Sequence, residues 1–181
     1  MTRVPEIDFE RLTPDQKRLY EAIGAARNGV PRGPFAVWMH RPEIADVANR
    51  FGNALRLEGR LDRRLFEITT LIIARHWSAQ YEWFAHEEAA LQAGVSVAVV
   101  EAIRNRRIPD FARDDEKLVY ELLHELHETR SLSEQSYRRA VAALGLDLMI
   151  ELATVIGFYT TAAIVINIFD APVPGGKRPL P

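Results

Sequence analysis

Residues 62–94, DRRLFEITTLIIARHWSAQYEWFAHEEAALQAG, decide the fold of this chain. The stretch opens with a helix-capping aspartate and a strongly apolar run, and it closes with a glycine of the kind that ends helices. Only Trp77 and Ser78 separate the first run from the second. The sequence therefore predicts two helices, at 62–76 and 79–93, packed as an antiparallel hairpin.

Helix signals recur along the rest of the chain, and strand signals are scarce. Thr13 and Gln16 form a capping box for a first helix, which is expected to stop near Asn28 and Gly29. The stretch 29–42 is rich in proline and glycine and predicts an irregular connection that contains an apolar turn. Further helices are predicted at 42–56, 97–105, 114–129, 133–144 and 147–169.

These signals predict an all-α protein of roughly seven to nine helices, in a single domain that spans residues 1–181. Ser131 and Glu134 predict a capping box at the start of the helix at 133–144. The tail at 171–181, APVPGGKRPLP, cannot continue a helix. It is expected to lie extended, on the surface or against a neighbouring subunit.

The composition limits the classes of function. The net charge is -2 and the basic residues are spread along the chain, so neither a nucleic acid nor a membrane is predicted as a partner. There is no cysteine, which excludes disulfides, thiolate nucleophiles and thiolate-bound metal. The first residues, MTRVPEIDFERL, are acidic and lack an apolar core, which predicts no secretory signal and a cytoplasmic location.

One segment tests the expectation of a soluble protein. Residues 152–169, LATVIGFYTTAAIVINIF, run for eighteen residues without a charge, which is the lower edge of a membrane-spanning length. Asp147 and Glu151 precede the segment, Gly157 lies within it, and there is no second segment of this kind. These features favour a helix buried in a protein core or a subunit interface.

Two carboxylates and an imidazole in the hairpin are candidates for acid and base chemistry. Glu67 lies among apolar residues, where a carboxylate is costly unless it is paired, and Arg63 one turn earlier is an ordinary partner for it. Glu82 and His86 share one face of the next helix. A carboxylate one turn from an imidazole can orient it for proton transfer. Alternatively, Glu82 has no chemical role and is only a negative charge that the dipole stabilises at a helix N-terminus.

Glu67, the segment HWSAQYEW (76–83) and His86 resemble the signature of the carboxymuconolactone decarboxylase family, which also contains alkylhydroperoxidase D. In the peroxidase branch of that family, a Cys-x-x-Cys pair lies at a helix start and a histidine follows four residues after the second cysteine. On this chain, the two thiol positions fall on Ala79 and Glu82.

The resemblance covers mainly residues 62–95, and GVSVAVVEAI (94–103) is similar to the helix that usually follows. RGPFAVWMHRPEIA (32–45) and the long apolar C-terminal helix look like those of the longer members. The resemblance places the family core at about 42–129. It also implies a homo-oligomer, such as a dimer, trimer or hexamer, in which the helix at 152–169 would be buried.

The resemblance implies a cofactor-independent decarboxylase and not a peroxidase. Peroxide reduction needs one thiolate for attack and a second thiol to resolve the sulfenic acid, and this chain has neither. The decarboxylase branch is thought to use acid and base side chains on a small organic acid or lactone, without metal or cofactor. The resemblance implies His86, Glu67 and Glu82 as catalytic residues. It implies Tyr81, His40 and Arg75 as ligands of a substrate carboxylate or enolate.

Two alternatives stay open at this point. The protein could be a non-catalytic oligomer that keeps the pocket and binds a small molecule. It could also hold a divalent metal through His86, Glu67 and Glu82, although a single histidine makes a poor zinc site. His124 and His127, in the stretch HELHE, are predicted to lie on a solvated helix face.

Overall fold

The computed structural model describes residues 2–25 and 29–181. Within these ranges all regular structure is helical, which confirms the predicted all-α class. The α-helices are α1 (Pro14–Ala25), α2 (Pro34–Trp38), α3 (Pro42–Leu57), α4 (Arg63–His76), α5 (Gln80–Gln92), α6 (Val97–Arg104), α7 (Asp114–Thr129), α8 (Glu134–Leu144) and α9 (Leu146–Phe169). Two short 3-10 helices lie at Phe9–Arg11 and Pro174–Gly176.

Some of the α-helices begin at side-chain caps, and one predicted capping box is wrong. Thr13 and Gln16 form the predicted box, since the Thr13 N–H donates to Gln16 Oε1 at 2.9 Å and the Gln16 N–H donates to Thr13 Oγ1 at 3.3 Å. The predicted box of Ser131 with Glu134 is wrong. Helix α8 begins at Glu134, so Ser133 is its cap and accepts from the N–H of Ser136 at 3.2 Å. The predicted end of α1 near Asn28 lies outside the described residues.

The hairpin of α4 and α5 forms the centre of the molecule. Asp62 caps α4 by accepting from the Arg64 N–H at 2.9 Å, and Ser78 turns the chain with a left-handed backbone, φ 50°. Every residue of α4 from Arg64 to Arg75 is buried, because α5, α6, α7 and α9 all pack against this helix. The predicted antiparallel hairpin is therefore confirmed.

Helix α9 lies across α4 and contributes Leu152, Val155, Ala163 and Ile166 to the main hydrophobic core. Among the described residues it is the one helix long and apolar enough to cross a membrane, with 39% of its most apolar window buried in the protein. A single such helix is weak evidence for a membrane span, because core helices of soluble proteins share its length and composition. Here it packs on α2, α3, α4, α5 and α8.

The C-terminal tail packs on the hairpin of its own chain. Leu180 is buried, its N–H donates to Gln80 Oε1 at 3.0 Å, and its carbonyl accepts from Gln80 Nε2 at 3.0 Å. The Pro179 carbonyl also accepts from Arg104 Nη1 at 2.7 Å. These contacts bring the residues after α9 back over the start of α5.

Candidate active site

A cavity of about 380 Å³ lies beside α5, between this helix and residues of α2, α3 and α9. His86, Glu82 and Tyr81 of α5 face it. The remaining lining combines aromatic rings with two arginines and includes Phe35, Arg32, Asn53, Arg56, Phe84, Phe158 and Tyr159. Such a mixture of apolar walls and a few polar groups is typical of small-molecule sites.

His86 and Glu67 meet across the hairpin, as the sequence predicts. His86 Nδ1 lies 2.7 Å from Glu67 Oε2, and Glu67 is 0% exposed. Arg63 Nη2 lies 2.5 Å from Glu67 Oε1, as an ion pair without hydrogen-bond geometry. Because the carboxylate already faces a guanidinium, we assign the hydrogen bond as Nδ1–H donating to Oε2. This arrangement fixes the imidazole and directs Nε2 towards Glu82 and the cavity.

Glu82 is the second buried carboxyl of the site, with 3% exposure. Its Oε1 lies 3.9 Å from His86 Nε2, which is too long for a hydrogen bond but lets both groups reach one bound molecule. Burial raises the pKa of Glu82 to about 7, with a smaller increase from Glu67 and an opposing effect of His86. A carboxyl with this pKa can carry a proton at neutral pH.

Tyr159 was missed by the sequence analysis. Its ring packs edge-on against His86, with centroids 5.0 Å apart and an interplanar angle of 89°. Burial raises the pKa of Tyr159 far above its usual value, and the charges of Glu82 and Glu67 add to this effect. Tyr159 lies in the uncharged segment 152–169, which was predicted as a helix buried in a core or a subunit interface. Its hydroxyl could have indicated a place in the site, because a buried tyrosine usually needs a polar partner.

Of the three predicted substrate ligands, the structure brings only Tyr81 to the cavity. The Tyr81 ring lies so close to Gly33 that a Cβ there would come within 2.1 Å of it. Arg75 lies about two turns beyond Glu67, where its Nη1 donates to Ser78 Oγ at 3.1 Å. His40 is exposed, with Nε2 3.0 Å from the Pro5 carbonyl oxygen. The predicted roles of Arg75 and His40 in this cavity are therefore corrected.

The metal alternative gains no support from the arrangement of ligands. Within residues 2–25 and 29–181, no group of three or more His, Asp or Glu side chains is placed to hold an ion. The prediction of a solvated helix face is confirmed for His124 and wrong for His127. His124 is exposed, but His127 is partly buried and stacks on His76 with centroids 3.8 Å apart, because the end of α7 packs on the end of α4.

Two solved structures resemble this one along almost their whole length. A peroxidase-related protein from Ralstonia eutropha JMP134, described as an alkylhydroperoxidase AhpD core, has a TM-score of 0.79 and 15% identity over 96% of this chain and 93% of its own. A peroxidase-related protein from Silicibacter sp. TM1040 has a TM-score of 0.74 and 18% identity over 94% of this chain and 90% of its own.

The chain has the alkylhydroperoxidase D fold. No protein-family model matches the sequence, and no curated protein matches it. At identities of 15% and 18%, the likeness establishes the fold alone.

The sequence resemblance implies that the two thiol positions of the peroxidase branch fall on Ala79 and Glu82 of this chain. Ala79 is the residue before α5 and is fully buried, and Glu82 lies in the first turn of the same helix. At the second position, therefore, the cavity holds a carboxyl with a raised pKa where the peroxidase branch is expected to hold a thiol. The group can exchange protons, and it cannot be oxidised to a sulfenic acid.

Proposed function

We propose that this protein is a cofactor-independent acid/base enzyme of the carboxymuconolactone decarboxylase type, acting on a small organic acid or lactone. The observation that carries the proposal is the pair of Glu82 and His86 in one cavity. Glu82 can hold a proton near pH 7, and His86 is oriented by the fully buried Glu67. Proton transfer to carbon requires acid and base groups that are oriented towards one bound molecule, and this cavity supplies them.

The lining of the cavity suits an organic anion with an apolar body. Arg32 and Arg56 both face the cavity, and neither forms an ion pair with a carboxylate in the described part of the chain. Guanidinium groups bind carboxylates through paired hydrogen bonds. The rings of Phe84 and Phe158 supply an apolar wall for the remainder of the molecule.

In the proposed reaction, the bond between a substrate carbon and its carboxylate breaks and carbon dioxide leaves. The electron pair of that bond moves into a conjugated carbonyl and forms an enolate. The neutral carboxyl of Glu82 donates a hydrogen bond to the enolate oxygen, and the protonated ring of His86 gives its Nε2 proton to carbon. Glu67 stabilises the imidazolium through Nδ1–H, and a proton from solvent restores His86.

The proposal is tested by carbon dioxide release from a panel of β-keto acids and γ-carboxy lactones in deuterated water. The wild type is expected to release carbon dioxide and to place deuterium on the product carbon. His86→Gln should lower kcat by roughly 10²- to 10⁴-fold, because it removes the group that gives a proton to carbon. Glu82→Ala should lower kcat by roughly 10²- to 10³-fold, because it removes the hydrogen bond to the enolate oxygen. Glu58→Gln changes an exposed glutamate at the end of α3 and serves as the matched control.

The same variants separate an enzyme from a binding protein. A protein that only binds the small molecule would lose affinity in His86→Gln and would show no turnover to lose. Equal rates of carbon dioxide release from the wild type and His86→Gln would refute the proposed mechanism.

A further inference from the structure

A second cavity, of about 200 Å³, lies where the C-terminal ends of α4, α6 and α7 meet. It shares no lining residue with the cavity at His86. Its polar lining is almost entirely basic: Arg75, His76, Arg106, Arg107, His124 and His127, with Glu128 as the one carboxylate. The excess of basic residues in this lining contrasts with the net charge of the whole chain, which is -2.

Arg75 is the buried side chain of this second cavity whose hydrogen bonds are incomplete. It is only 8% exposed, and its Nε has no hydrogen-bond partner among residues 2–25 and 29–181. Its Nη1 donates to Ser78 Oγ at 3.1 Å, and Arg106 Nη2 donates to the same oxygen at 3.0 Å. Two guanidinium groups thus converge on one neutral hydroxyl, and in the described ranges neither has a carboxylate partner. A buried cation without a counter-charge is costly, so the arrangement is incomplete as it stands.

Two of the three histidines that line the cavity, His76 and His127, lie in the same positive surroundings. The rings of His76 and His127 stack with an interplanar angle of 18°. His127 Nε2 is buried and has no hydrogen-bond partner in the described part of the chain. Burial lowers the pKa of His127 to about 4, and the neighbouring charges of His76, Arg130 and His124 act in the same direction. Burial also lowers the pKa of His76. Both rings are therefore held neutral in a field that repels further positive charge.

The negative ends of three helix dipoles explain only part of this arrangement. Basic residues at the end of a helix are favoured by the dipole, and an exposed side chain just beyond α6, such as Arg106, needs no other reason. The dipole does not explain why Arg75 is buried with Nε unsatisfied, since a long side chain near a helix end is free to reach water.

We propose that this second cavity binds a small phosphate-type oxyanion. Arg75 would donate from Nε, Arg106 would supply a second guanidinium, and the neutral ring of His127 would donate from Nε2–H. Donors that approach from α4, from α7 and from the turn after α6 match the oxygens of a tetrahedral anion, and charge-assisted hydrogen bonds of this kind are short and strong. The bound anion would supply the counter-charge that Arg75 and Arg106 lack.

The test is calorimetric titration of the whole protein with sodium phosphate at constant ionic strength, with chloride as the balancing anion. The wild type is expected to bind one phosphate saturably. Arg106→Ala, which changes an exposed side chain, should weaken binding about tenfold or more, because it removes a charge-assisted donor. Arg75→Gln should do the same where the variant folds. Arg138→Ala removes an exposed arginine of α8 and should leave the affinity unchanged.

Further titrations distinguish a phosphomonoester from free phosphate as the ligand. They also test whether the two cavities bind their ligands independently. Tighter binding of glycerol phosphate than of inorganic phosphate would assign the cavity to a phosphomonoester, and the reverse would assign it to the free ion. The variant His86→Gln should bind phosphate like the wild type, because this site is independent of the proposed enzyme activity. Absence of saturable phosphate binding, equal binding of acetate, or an unchanged affinity in Arg106→Ala would overturn the proposal.

Discussion

Glu82 shows how burial changes the chemistry of a single residue. A carboxyl in the first turn of a helix is ordinarily a favourable surface charge. Here Glu82 is 3% exposed and lies beside His86 and Glu67, so its charged form loses hydration and meets a second carboxylate. The same side chain therefore becomes a group that holds a proton near neutral pH.

The raised pKa of Glu82 predicts a specific dependence of stability on pH. Its value in the folded protein, about 7, lies above the ordinary value of 4.5. Between these pH values the folded protein keeps a proton that the unfolded chain has lost, so this group lowers the free energy of unfolding as pH rises. From pH 5 to pH 8 the wild type should lose about 2 to 3 kcal/mol more than Glu82→Gln.

Urea denaturation of both proteins at pH 5 and pH 8 measures this difference, and other titrating groups cancel in the comparison. Glu88→Gln, at an exposed position on the same helix, should behave like the wild type. If Glu82→Gln and the wild type lose the same stability between the two pH values, Glu82 does not hold a proton at pH 7.

At the scale of elements, Arg64 joins α4 to α7. Its guanidinium donates to Asp115 through Nη1 at 3.1 Å and Nη2 at 2.6 Å, and Nη1 also donates to Glu116 at 2.9 Å. The pKa of Asp115 is lowered chiefly by its hydrogen bond to Arg64. Arg64 and Glu116 are both buried, so the two helices enclose a charge pair in which each member depends on the other.

Arg64→Met is expected to lower the free energy of unfolding by about 3 to 5 kcal/mol, since it leaves Glu116 buried without its cation. Chemical denaturation at pH 7 provides the measurement. Arg139→Met is the control, because Arg139 pairs with Glu121 where both side chains are largely exposed, and it should cost less than about 1 kcal/mol. Similar losses in the two variants would mean that the α4–α7 pair contributes no more than a surface ion pair.

At the scale of the whole molecule, α3 and α9 both expose apolar side chains to solvent. Helix α3 exposes Ile44, Val47 and Phe51, and α9 exposes Leu146 and Ile150. Phe51 packs edge-on against Phe158, with centroids 5.4 Å apart and an interplanar angle of 76°, so the two helices are neighbours. Exposed apolar side chains on neighbouring helices are typical of subunit interfaces, so we propose that a second copy of the chain covers them.

Light scattering coupled to size-exclusion chromatography tests this assembly. The wild type should have a mass that is a multiple of the 20.6 kDa of one chain. The double variant Val47→Lys/Ile150→Lys should shift towards one chain, because it would bury charge in the interface. Val97→Lys, at an equally exposed valine of α6, should keep the wild-type mass. A monomeric wild type would rule out the proposed interface under the conditions used.

The sequence by itself determined the helical class, the α4–α5 hairpin and the meeting of Glu67 with His86. Each of these depends on short-range information: a capping aspartate, a short connection, and two residues at similar distances from one turn. The absence of cysteine likewise excludes thiol chemistry through composition alone. Ser131 and Ser133 are both suitable helix caps, and the sequence alone predicted the wrong one for α8.

Only the tertiary structure decided what surrounds His86. Tyr159, which lies more than seventy residues later in the chain, packs against the imidazole ring of His86. Arg56 faces the same cavity from α3. Arg75, by contrast, lies in a different cavity with His127. Contacts between residues so distant in the chain depend on how all the helices pack, and no local pattern encodes them. The depth of burial that raises the pKa of Glu82 arises from the same packing, because desolvation is a property of the assembled core.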